Sequence, residues 1–350
     1  TLGAGVSLNT RADGSTNACN GYKELCDRAF TDIAFATTHN SFAYLSGVAS
    51  NQRKNVEAQL NDGIRGFMLD FVQPSNSSST SDDIYLCHAA CSLLNAGPAV
   101  NTLKTIANFL NSNANEVVTL LVSNDSKFSA LAMRAAFTAA GLDKLAYQPD
   151  DDGSAGATWP TLGDMISKNQ RAVIFSSDHA DTASVPWILP ESQYVWQTSW
   201  QVLVNDAFTC TIDRPKRSPY GPLQVLNHFV YTSMQLLGKN IMMADSSAAS
   251  QTNSLDSLEA HYQQCDSTYA TLPSSNADGD PNNSTAALVP NFVTVDFYDT
   301  GDLFRFVANL NNVTYRPNET KQSAASHPSG GSAIAIAWLG LLLAWAAWCL

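Results

Sequence analysis

Short apolar segments alternate with amphipathic segments along the first half of the chain and return near residue 290. Six runs are rich in β-branched, aromatic or other apolar residues, which predicts strands. They read IAFATTH from Ile33, IRGFMLDFV from Ile64, IYLCH from Ile84, EVVTLLVSN from Glu116, RAVIFSSDH from Arg171 and PNFVTVDFYD from Pro290. The run from Glu116 is apolar on both faces, as expected for a strand that is covered on both sides.

Helical periodicity separates these runs. The segments QRKNVEAQLNDG, AVNTLKTIANFLNSN and FSALAMRAAFTAAG predict helices, and Gly63 and Gly141 are the expected stops of the first and the third. The order βαββαβαβ predicts a mostly parallel sheet, and 350 residues suffice for a single α/β barrel domain. Residues 185–284 show no clear pattern. We expect a lead-in over 1–29, a barrel domain over 30–315, a polar linker over 316–332 and an apolar signal tail over 333–350.

Candidate chemistry lies where the predicted strands end. In a barrel of parallel strands the functional side chains gather at the carboxyl ends of the strands. The residues at these ends are His39 and Asn40, Asp70, His88, Asn124 and Asp125, Asp178 and His179, and Asp296. Three of the six histidines belong to this set, which favours a site that uses imidazole for acid–base chemistry. Strand alternation puts Gly66, Met68 and Asp70 on one face, which we expect to look into the barrel mouth.

Composition and motifs exclude several functions. A formal net charge of −12 with only 19 Lys and Arg argues against a nucleic-acid partner, which requires a basic face. The same balance disfavours non-specific adhesion to anionic lipid, so a lipid substrate would be recognised locally. The sequence has no G-x-S-x-G elbow, Walker loop or dinucleotide fingerprint. Among the polar candidates, Asp125 is expected to cap the following helix, and His228 is expected to be structural.

Six cysteines lie outside the apolar tail and indicate an oxidising compartment. Pairing neighbours joins Cys19 to Cys26, Cys87 to Cys91 and Cys210 to Cys265, one of several connectivities that six cysteines allow. Metal ligation by these cysteines is disfavoured because no C-x-x-C spacing is present. Sequons in polar surroundings agree with a secretory route and begin at Asn76, Asn282, Asn283, Asn312 and Asn318. Asn124 also begins a sequon, but it ends an apolar strand and is not expected to carry a glycan.

The C-terminal segment has the order of a glycosylphosphatidylinositol attachment signal. Small residues near Ser323 are followed by a polar spacer and by the uncharged run AIAIAWLGLLLAWAAWCL over 333–350. Ser323 is the preferred attachment residue, with Ser329 and Gly330 as alternatives. A retained membrane helix is the other interpretation, disfavoured because no basic cluster follows the run. We therefore expect an extracellular protein anchored to the cell membrane or cell wall.

The segments ATTHNSFAY, QLNDGIRGFMLDF, LCHAACSLLNAG, FLNSNANEVVTLLVSND and PNFVTVDFYDTGDLF occur in this order. They resemble the phosphatidylinositol-specific phospholipase C X-domain superfamily, in particular its secreted fungal phosphodiesterase-like branch. The resemblance is close over residues 30–125 and looser in the last strand. It implies a TIM-type (β/α)8 barrel. It also implies cleavage of a glycerophosphoinositol-type phosphodiester by the substrate's own hydroxyl, with a cyclic phosphate and a diacylglycerol as products.

The resemblance also implies residue roles. His39 matches the first family histidine, a base or transition-state donor, and His88 matches the second, which protonates the leaving alkoxide. Asp296 resembles the aspartate that orients the first histidine. Asn40 and Asp70 match calcium-binding residues of the eukaryotic enzymes, and Asp70 falls where metal-free bacterial enzymes have an arginine.

Two positions depart from the calcium-binding pattern. Met68 replaces one acidic ligand, and Ser123 with Asn124 replaces another. We therefore expect a divalent cation, such as Ca²⁺, that is held partly by the phosphate of the substrate. Asn124, Asp178 and Arg65 are the candidates for substrate contacts.

Two alternatives remain at this stage. The departures at Met68 and Ser123 are consistent with a catalytically inactive barrel that acts as a surface or wall-associated binding protein. The other alternative is a zinc hydrolase with ligands among His39, His88, His179 and Asp178. It is disfavoured because the sequence has no H-x-x-x-H or similar fixed pair.

Overall fold

A computed structural model describes residues 18–44, 47–74, 84–149, 159–216, 221–236, 239–269 and 289–317. Its strands are β1 (Phe35–Thr38), β2 (Gly66–Val72), β3 (Tyr85–His88), β4 (Leu94–Pro98), β5 (Val118–Ser123), β6 (Ala172–Ser176), β7 (Ile188–Pro190), β8 (Val195–Thr198), β9 (Ile212–Arg214), β10 (Leu223–Asn227), β11 (Tyr231–Leu236), β12 (Lys239–Ala244) and β13 (Phe292–Val295). Its α-helices are α1 (Val56–Asp62), α2 (Ala99–Ser112), α3 (Ala130–Ala140), α4 (Leu162–Ser167), α5 (Glu191–Tyr194), α6 (Ala249–Thr252), α7 (Leu255–Tyr269) and α8 (Leu303–Leu310). None of the helices in these ranges is long and apolar enough to cross a membrane.

Eight parallel strands form a curled sheet in the order β7-β6-β5-β2-β1-β13-β10-β8. Apart from one seam between β7 and β8, this is the order of the strands along the chain, with the last strand β13 paired to the first strand β1. Such a circular order is that of a (β/α)8 barrel. The prediction of an irregular TIM-type barrel is therefore confirmed.

Two antiparallel additions modify the barrel. The segment IYLCH was expected to be a parallel barrel strand, and this is wrong: β3 pairs antiparallel with the end of β2 and with β4. The hairpin β3–β4 is inserted before α2, and the next barrel strand is β5. The second addition, β9, pairs antiparallel with the free edge of β8 and so lies on the seam side of that strand.

Strand alternation separates the barrel interior from the layer beneath the helices. Phe67, Leu69 and Phe71 are fully buried among side chains of the outer layer, and each contributes about 1.5–3 kcal/mol of burial free energy. Met68 packs instead with the interior cluster, as predicted for its face. Gly66 shares that interior face, and a Cβ atom there would lie 2.2 Å from Oγ1 of Thr37. The close approach of β1 and β2 therefore requires glycine.

The helix ends follow the sequence signals. The side chain of Asn55 accepts a hydrogen bond from the backbone N–H of Ala58 at the start of α1. Gly63 and Gly141 end α1 and α3 in the left-handed conformation, which confirms both predicted stops. Ser129 is the N-cap of α3, so the prediction that Asp125 caps this helix is wrong.

Aromatic side chains cover the amino-terminal end of the barrel. Phe30 packs against Phe35 and Trp159, with ring centroids 5.0 Å and 5.1 Å away. The disulfide Cys19–Cys26 adjoins this cluster, and the other two disulfides are Cys87–Cys91 and Cys210–Cys265, the pairing expected from neighbouring positions. The carboxyl ends of the strands are therefore the end of the barrel that can admit a ligand.

Candidate active site at the carboxyl ends of the strands

His39 and Asp296 form a hydrogen-bonded pair at the ends of two adjacent strands. They directly follow β1 and β13, which are paired as far as Thr38 and Val295. Nδ1 of His39 lies 2.9 Å from Oδ1 of Asp296. A carboxylate only accepts hydrogen bonds, so the Nδ1–H donates and Nε2 keeps a free lone pair. The His39 imidazole is thus arranged to accept a proton at Nε2.

Two further side chains fix this pair. Phe229 stacks flat on the His39 ring, with centroids 4.0 Å apart and planes 2° from parallel. The fully buried Asn51 donates a hydrogen bond from Nδ2 to Oδ1 of Asp296 at 3.0 Å. Stacking restricts the ring plane and the amide restricts the carboxylate. The orientation of His39 is therefore determined from both sides.

His88 is the second histidine of the site and comes from the hairpin, not from a barrel strand. It ends β3, and the disulfide Cys87–Cys91 encloses it in a short loop. Its Nδ1 lies 3.0 Å from Nδ2 of Asn40 and 3.5 Å from Oδ2 of Asp70. If the amide of Asn40 donates, Nδ1 of His88 accepts, and the proton of the neutral ring is on Nε2. His88 is thus arranged to give a proton from Nε2.

A chain of amides connects the two histidines. Nδ2 of Asn40 donates to Oδ1 of Asn51 at 3.3 Å, and Asn51 in turn contacts Asp296. The imidazole rings of His39 and His88 are 6.4 Å apart between centroids and nearly perpendicular. Two imidazoles at this separation, one protonated on Nδ1 and the other on Nε2, would be suited to act as base and acid on one bound group.

The backbone turns sharply after each of these candidate residues. The next residues, Asn40, Ala89 and Phe297, have positive φ angles of 42°, 59° and 48°. This conformation costs a non-glycine residue about 1–2 kcal/mol and is concentrated at functional sites. Three such turns around one mouth support the assignment of the site to this end of the barrel.

Asn124 and Asp178, which were predicted to contact substrate, form hydrogen bonds or an ion pair within the chain. The amide of the buried Asn124 accepts from the N–H of Phe128 and donates to the carbonyl oxygens of Phe128 and Asp178. The hydrogen bonds of Asn124 therefore connect the loops after β5 and β6. Because the side chain of Asn124 is buried, it is not accessible to glycosylation, as expected from the sequence. Asp178 and His179 form an exposed pair with Nδ1 and Oδ1 3.0 Å apart.

The prediction that Arg65 contacts substrate is wrong. Arg65 precedes β2 at the amino-terminal end of the barrel, and its Nε donates to Oε2 of the buried Glu116 at 2.7 Å. The five residue-to-residue steps from Arg65 to Asp70 span about 16 Å of strand. Arg65 is therefore a structural residue at the opposite end of the barrel.

The zinc alternative lacks a ligand set. Within the described ranges, the one group of three possible ligands is Cys210, His261 and Cys265, and its two cysteines are joined in a disulfide. A disulfide offers no thiolate to a metal. The histidines at the mouth do not join His179 in such a group.

The oxygen donors at the mouth do not fit a calcium ion held by the protein. Calcium takes about six to eight oxygen ligands. Asp70 is available, but Met68 packs into the barrel interior and the amide nitrogen of Asn40 faces His88. In the part of the chain described, no group of three acidic ligands forms here. The expected cation site at Asn40 and Asp70 is therefore not supported by its donor set.

Tyr231 and Arg214 are mouth residues that were not found from the sequence, and Asp125 was found at a strand end but was expected to cap a helix. Tyr231, which begins β11, meets the His39 ring edge-on with centroids 6.2 Å apart, and burial raises the pKa of its hydroxyl. Asp125 has its pKa raised by partial burial and then by the negative charge of Asp70. Arg214, at the end of β9, opposes both shifts with its positive charge. The run LQVLN directly before His228 and Phe229 has the length of a strand, and this signal could have been used to predict β10 and the loop that carries Phe229 and Tyr231.

The predicted modification sites are mostly outside the described residues. This applies to Asn76, Asn282, Asn283 and Asn318, and to the attachment residue Ser323 with the apolar tail. Asn312 is described and is exposed, as a glycan acceptor must be.

Comparison with known proteins adds the following matches. The PI-PLC X 1 family model matches residues 25–311, which include every residue of the mouth described above. An uncharacterized secreted protein of Arthroderma benhamiae is 32% identical over 313 residues, which cover 86% of this chain and 65% of that protein. The PI-PLC X domain-containing protein 1 of the same fungus is 29% identical over 300 residues, covering 84% of this chain and 90% of that protein. Among solved structures, the phosphatidylinositol-specific phospholipase C from Listeria monocytogenes aligns with 83% of this chain and 96% of that chain, at 14% identity and a TM-score of 0.48.

Proposed function

This chain belongs to the PI-PLC X domain family, and we propose that it is a phospholipase C-like phosphodiesterase that cleaves a glycerophosphoinositol-type diester. The observation that carries the proposal is the pair of imidazoles at the mouth, His39 beside Asp296 and His88 beside Asp70, 6.4 Å apart between ring centroids. In the proposed reaction His39 carries its proton on Nδ1 and His88 on Nε2, so that one ring acts as the base and the other as the acid on the same phosphate.

In the proposed reaction one proton moves from the substrate to His39 and one proton moves from His88 to the leaving group. Nε2 of His39 takes the proton of a substrate hydroxyl, whose oxygen attacks phosphorus and forms the new P–O bond. The P–O bond to the glycerol oxygen breaks, and Nε2–H of His88 protonates that oxygen. The products are a cyclic phosphate and a diacylglycerol. Asp296 stabilises the imidazolium that forms on His39.

Exposed apolar side chains near the mouth favour a substrate in a lipid surface over a soluble diester. Val48 lies in the loop after β1, Leu93 in the hairpin after His88, and Leu203 and Val204 in the loop after β8. All four are large hydrophobic residues exposed on segments that follow the carboxyl ends of strands. Apolar side chains that surround a site are typical of surfaces that meet lipid or protein.

We also propose an extracellular, lipid-anchored location. Three disulfides support a secretory route, and one relative carries the description of a secreted protein. The small residues at Ser323 and the uncharged run over 333–350 support a glycosylphosphatidylinositol anchor. Mass spectrometry of the C-terminal peptide of the mature protein tests this: an ethanolamine-linked glycan on Ser323, Ser329 or Gly330 is expected, and an intact Leu350 would contradict it.

The central experiment compares two histidine variants on two substrates. Purified protein is incubated with phosphatidylinositol vesicles and with glycerophosphoinositol, and the released phosphate products are separated by chromatography. We expect turnover by the wild-type protein, with vesicles preferred, and loss of turnover in His88→Gln. His179→Gln is the matched control, since that histidine also follows the carboxyl end of a strand but is exposed and pairs with Asp178 instead of the residues around His39 and His88.

The inactive-barrel alternative keeps one observation in its favour, the thioether of Met68 where an acidic ligand is expected. It predicts binding of inositol phosphates without turnover. If the folded wild-type protein releases no product from either substrate, this alternative replaces the enzymatic proposal.

A further inference from the structure

The negative charge of a phosphodiester needs a positive partner in the transition state. The mouth has carboxylates at Asp70, Asp125 and Asp296, and the oxygen donors around Asp70 do not fit a calcium ion. The inference below rests on the proposed function. It concerns which group of this chain supplies the missing positive charge.

Arg214 is directed toward the barrel mouth by the pairing of its strand. It lies directly opposite Gln197 in the antiparallel pair of β9 with β8, and opposed residues in such a pair have their side chains on the same face. Gln197 is buried at the carboxyl end of β8, where its side chain donates to Glu191 and accepts from Asn227 at 3.4 Å. The side chain of Arg214 therefore leaves the backbone on the face of the sheet that looks into the barrel, next to the seam.

We propose that Arg214 and the hydroxyl of Tyr231 form the phosphate-binding wall of this site, so that the chain neutralises the diester itself without a bound divalent cation. Arg214 comes from the antiparallel strand in the seam, and Tyr231 from the start of the hairpin β11–β12. The two side chains thus reach the mouth from elements outside the eight barrel strands. A guanidinium binds two phosphate oxygens at once, and a tyrosine hydroxyl donates to a third.

The electrostatics of the mouth agree with this placement. Burial is the main cause that raises the pKa of the Tyr231 hydroxyl; the charges of Asp296 and Asp70 raise it further, and the charge of Arg214 lowers it. Both carboxylates and the guanidinium thus act electrostatically on this one hydroxyl. A hydroxyl kept protonated in this way can only donate to an anionic phosphate oxygen.

A simpler structural role for Arg214 would be that of a counter-ion to Glu191. Burial raises the pKa of Glu191, and Arg214 opposes that shift. However, Gln197 already donates to the Glu191 carboxyl group. No carboxylate among the described residues is within 4.0 Å of the Arg214 guanidinium, and Arg214 is exposed. A guanidinium that is accessible and lacks a direct ion pair remains available to a ligand.

Tyr231 provides an independent observation. The residue is 4% exposed, and within the described ranges its hydroxyl forms no hydrogen bond. Its ring is held edge-on by His39 and Trp200, at centroid distances of 6.2 Å and 6.3 Å. The hydroxyl is not among the fully buried polar atoms that lack a partner, so a nearly buried ring carries an accessible donor beside the proposed base, which suits the binding of an anion.

The first test measures binding and does not depend on turnover. Inorganic phosphate is titrated by calorimetry into the wild-type protein, Arg214→Gln, Arg214→Lys and the control Lys216→Gln, which removes an exposed positive charge two residues away. We expect the dissociation constant to rise about 10-fold or more in Arg214→Gln and to stay within about 2-fold in Lys216→Gln. Equal affinity in wild type and Arg214→Gln would overturn the proposal. Arg214→Lys keeps the positive charge that favours the Glu191 carboxylate. It is measured in place of Arg214→Gln if the glutamine variant does not fold.

The second test measures turnover of glycerophosphoinositol with and without a chelator. Removing one group that stabilises transition-state charge costs about 10²–10³-fold in kcat, which we expect for Arg214→Gln. Arg214→Lys should retain part of the activity, Tyr231→Phe should lose less than Arg214→Gln, and chelation should change the wild-type rate by less than about 2-fold. Loss of wild-type turnover on chelation, restored by calcium, would overturn the inference while leaving the proposed function intact. Absence of turnover in every protein, with phosphate binding that depends on Arg214, would overturn the proposed function and support the binding wall.

Discussion

The described part of the chain contains two histidine pairs, and they differ in burial, in neighbouring charge and in the distance between their rings. His39 and His88 are partly exposed at the mouth, each next to a carboxylate, with 6.4 Å between ring centroids. His228 and His261 are buried, with their Nδ1 atoms 3.0 Å apart, and Phe208 stacks on both rings. The rings of the first pair are farther apart and, within the described residues, no hydrogen bond joins them directly, whereas the rings of the second pair are 5.2 Å apart between centroids and are hydrogen-bonded to each other.

Hydrogen bonding defines the proton positions in the buried pair. Nε2 of His228 lies 2.7 Å from the carbonyl oxygen of Thr252, so it carries a proton and donates. Nδ1 of the neutral His228 ring then accepts, and Nδ1–H of His261 donates to it. Burial, followed by the neighbouring imidazole, lowers the pKa of His228 to about 3, and burial lowers that of His261 to about 4. The same side chain is thus a neutral structural group in one region and the proposed proton-transfer group in the other, because exposure to solvent and the neighbouring carboxylates differ.

The largest expected effect separates the two pairs by activity. His39→Gln and His88→Gln should each lower kcat by about 10²–10⁴-fold, because in the proposed reaction each removes a group that transfers a proton in the transition state. Both residues are at the open mouth, so the free energy of unfolding should change by less than about 1 kcal/mol. Steady-state kinetics and urea unfolding on the same samples check both statements. Equal loss of activity in the exposed control His179→Gln would show that the effect is not specific to the mouth.

Removing a member of the buried pair should lower stability and leave activity nearly unchanged, the reverse of the effect at the mouth. His261→Ala leaves Nδ1 of His228 without its donor and creates a cavity, so we expect the free energy of unfolding to fall by about 2–4 kcal/mol. The activity per folded molecule should stay within about 3-fold, since His261 does not contact the mouth. Urea unfolding, with activity normalised to the folded fraction, provides the measurement. A variant that is fully stable but inactive would reverse the assignment of the two pairs.

The buried pair should also make stability depend on pH. Both pKa values are lower in the folded state than the ordinary value of 6.5, so the unfolded chain binds protons that the folded chain does not. This contribution to stability is present above about pH 6.5 and is lost as the pH falls toward about 4 and 3, by up to about 1.4 kcal/mol per pH unit for each imidazole. Unfolding of the wild type and of His261→Gln between pH 4.5 and 7.5 tests this, and the variant should show the shallower dependence. Identical slopes would contradict the neutral state of the pair.

Much of the barrel was predictable because its first strands are long and strongly apolar. β2 and β5 span seven and six residues, and glycine marks the end of the helix before β2. By contrast, β7 and β9 have three residues each, too few for any periodicity to be seen. Their assignment comes from pairing with β6 and β8, which only the folded chain provides.

The site divides in the same way. His39, Asp70 and Asp296 are at strand ends, where topology alone concentrates functional groups. Asn51 and Arg214 come from a loop and from an antiparallel edge strand, and their approach to the mouth depends on tertiary contacts. Arg65 was misassigned although the sequence already puts it at the start of the run IRGFMLDFV, five positions before Asp70, and therefore at the amino-terminal end of that strand.

The smallest expected effect concerns Phe229, which follows His228 in the chain but stacks on His39. Phe229→Leu removes a stacked ring contact of about 1 kcal/mol, which corresponds to a loss of about 3- to 10-fold in kcat if the orientation of His39 matters. KM should change less than kcat, because the ring acts on the base and not on the bound lipid. A pH–rate profile should keep its shape, since the titrating groups remain.

Phe208→Leu is the matched control, because it removes a ring stacked on the other pair, 4.1 Å from His228 and 4.7 Å from His261 between centroids. The two variants make the same chemical change next to different histidines. We expect Phe208→Leu to lower the free energy of unfolding by about 1–2 kcal/mol and to leave kcat within about 2-fold. Equal losses of kcat in both variants would mean that the two histidine pairs are coupled through the peptide bond from His228 to Phe229. The distinction between a proposed catalytic pair and a structural pair would then be wrong.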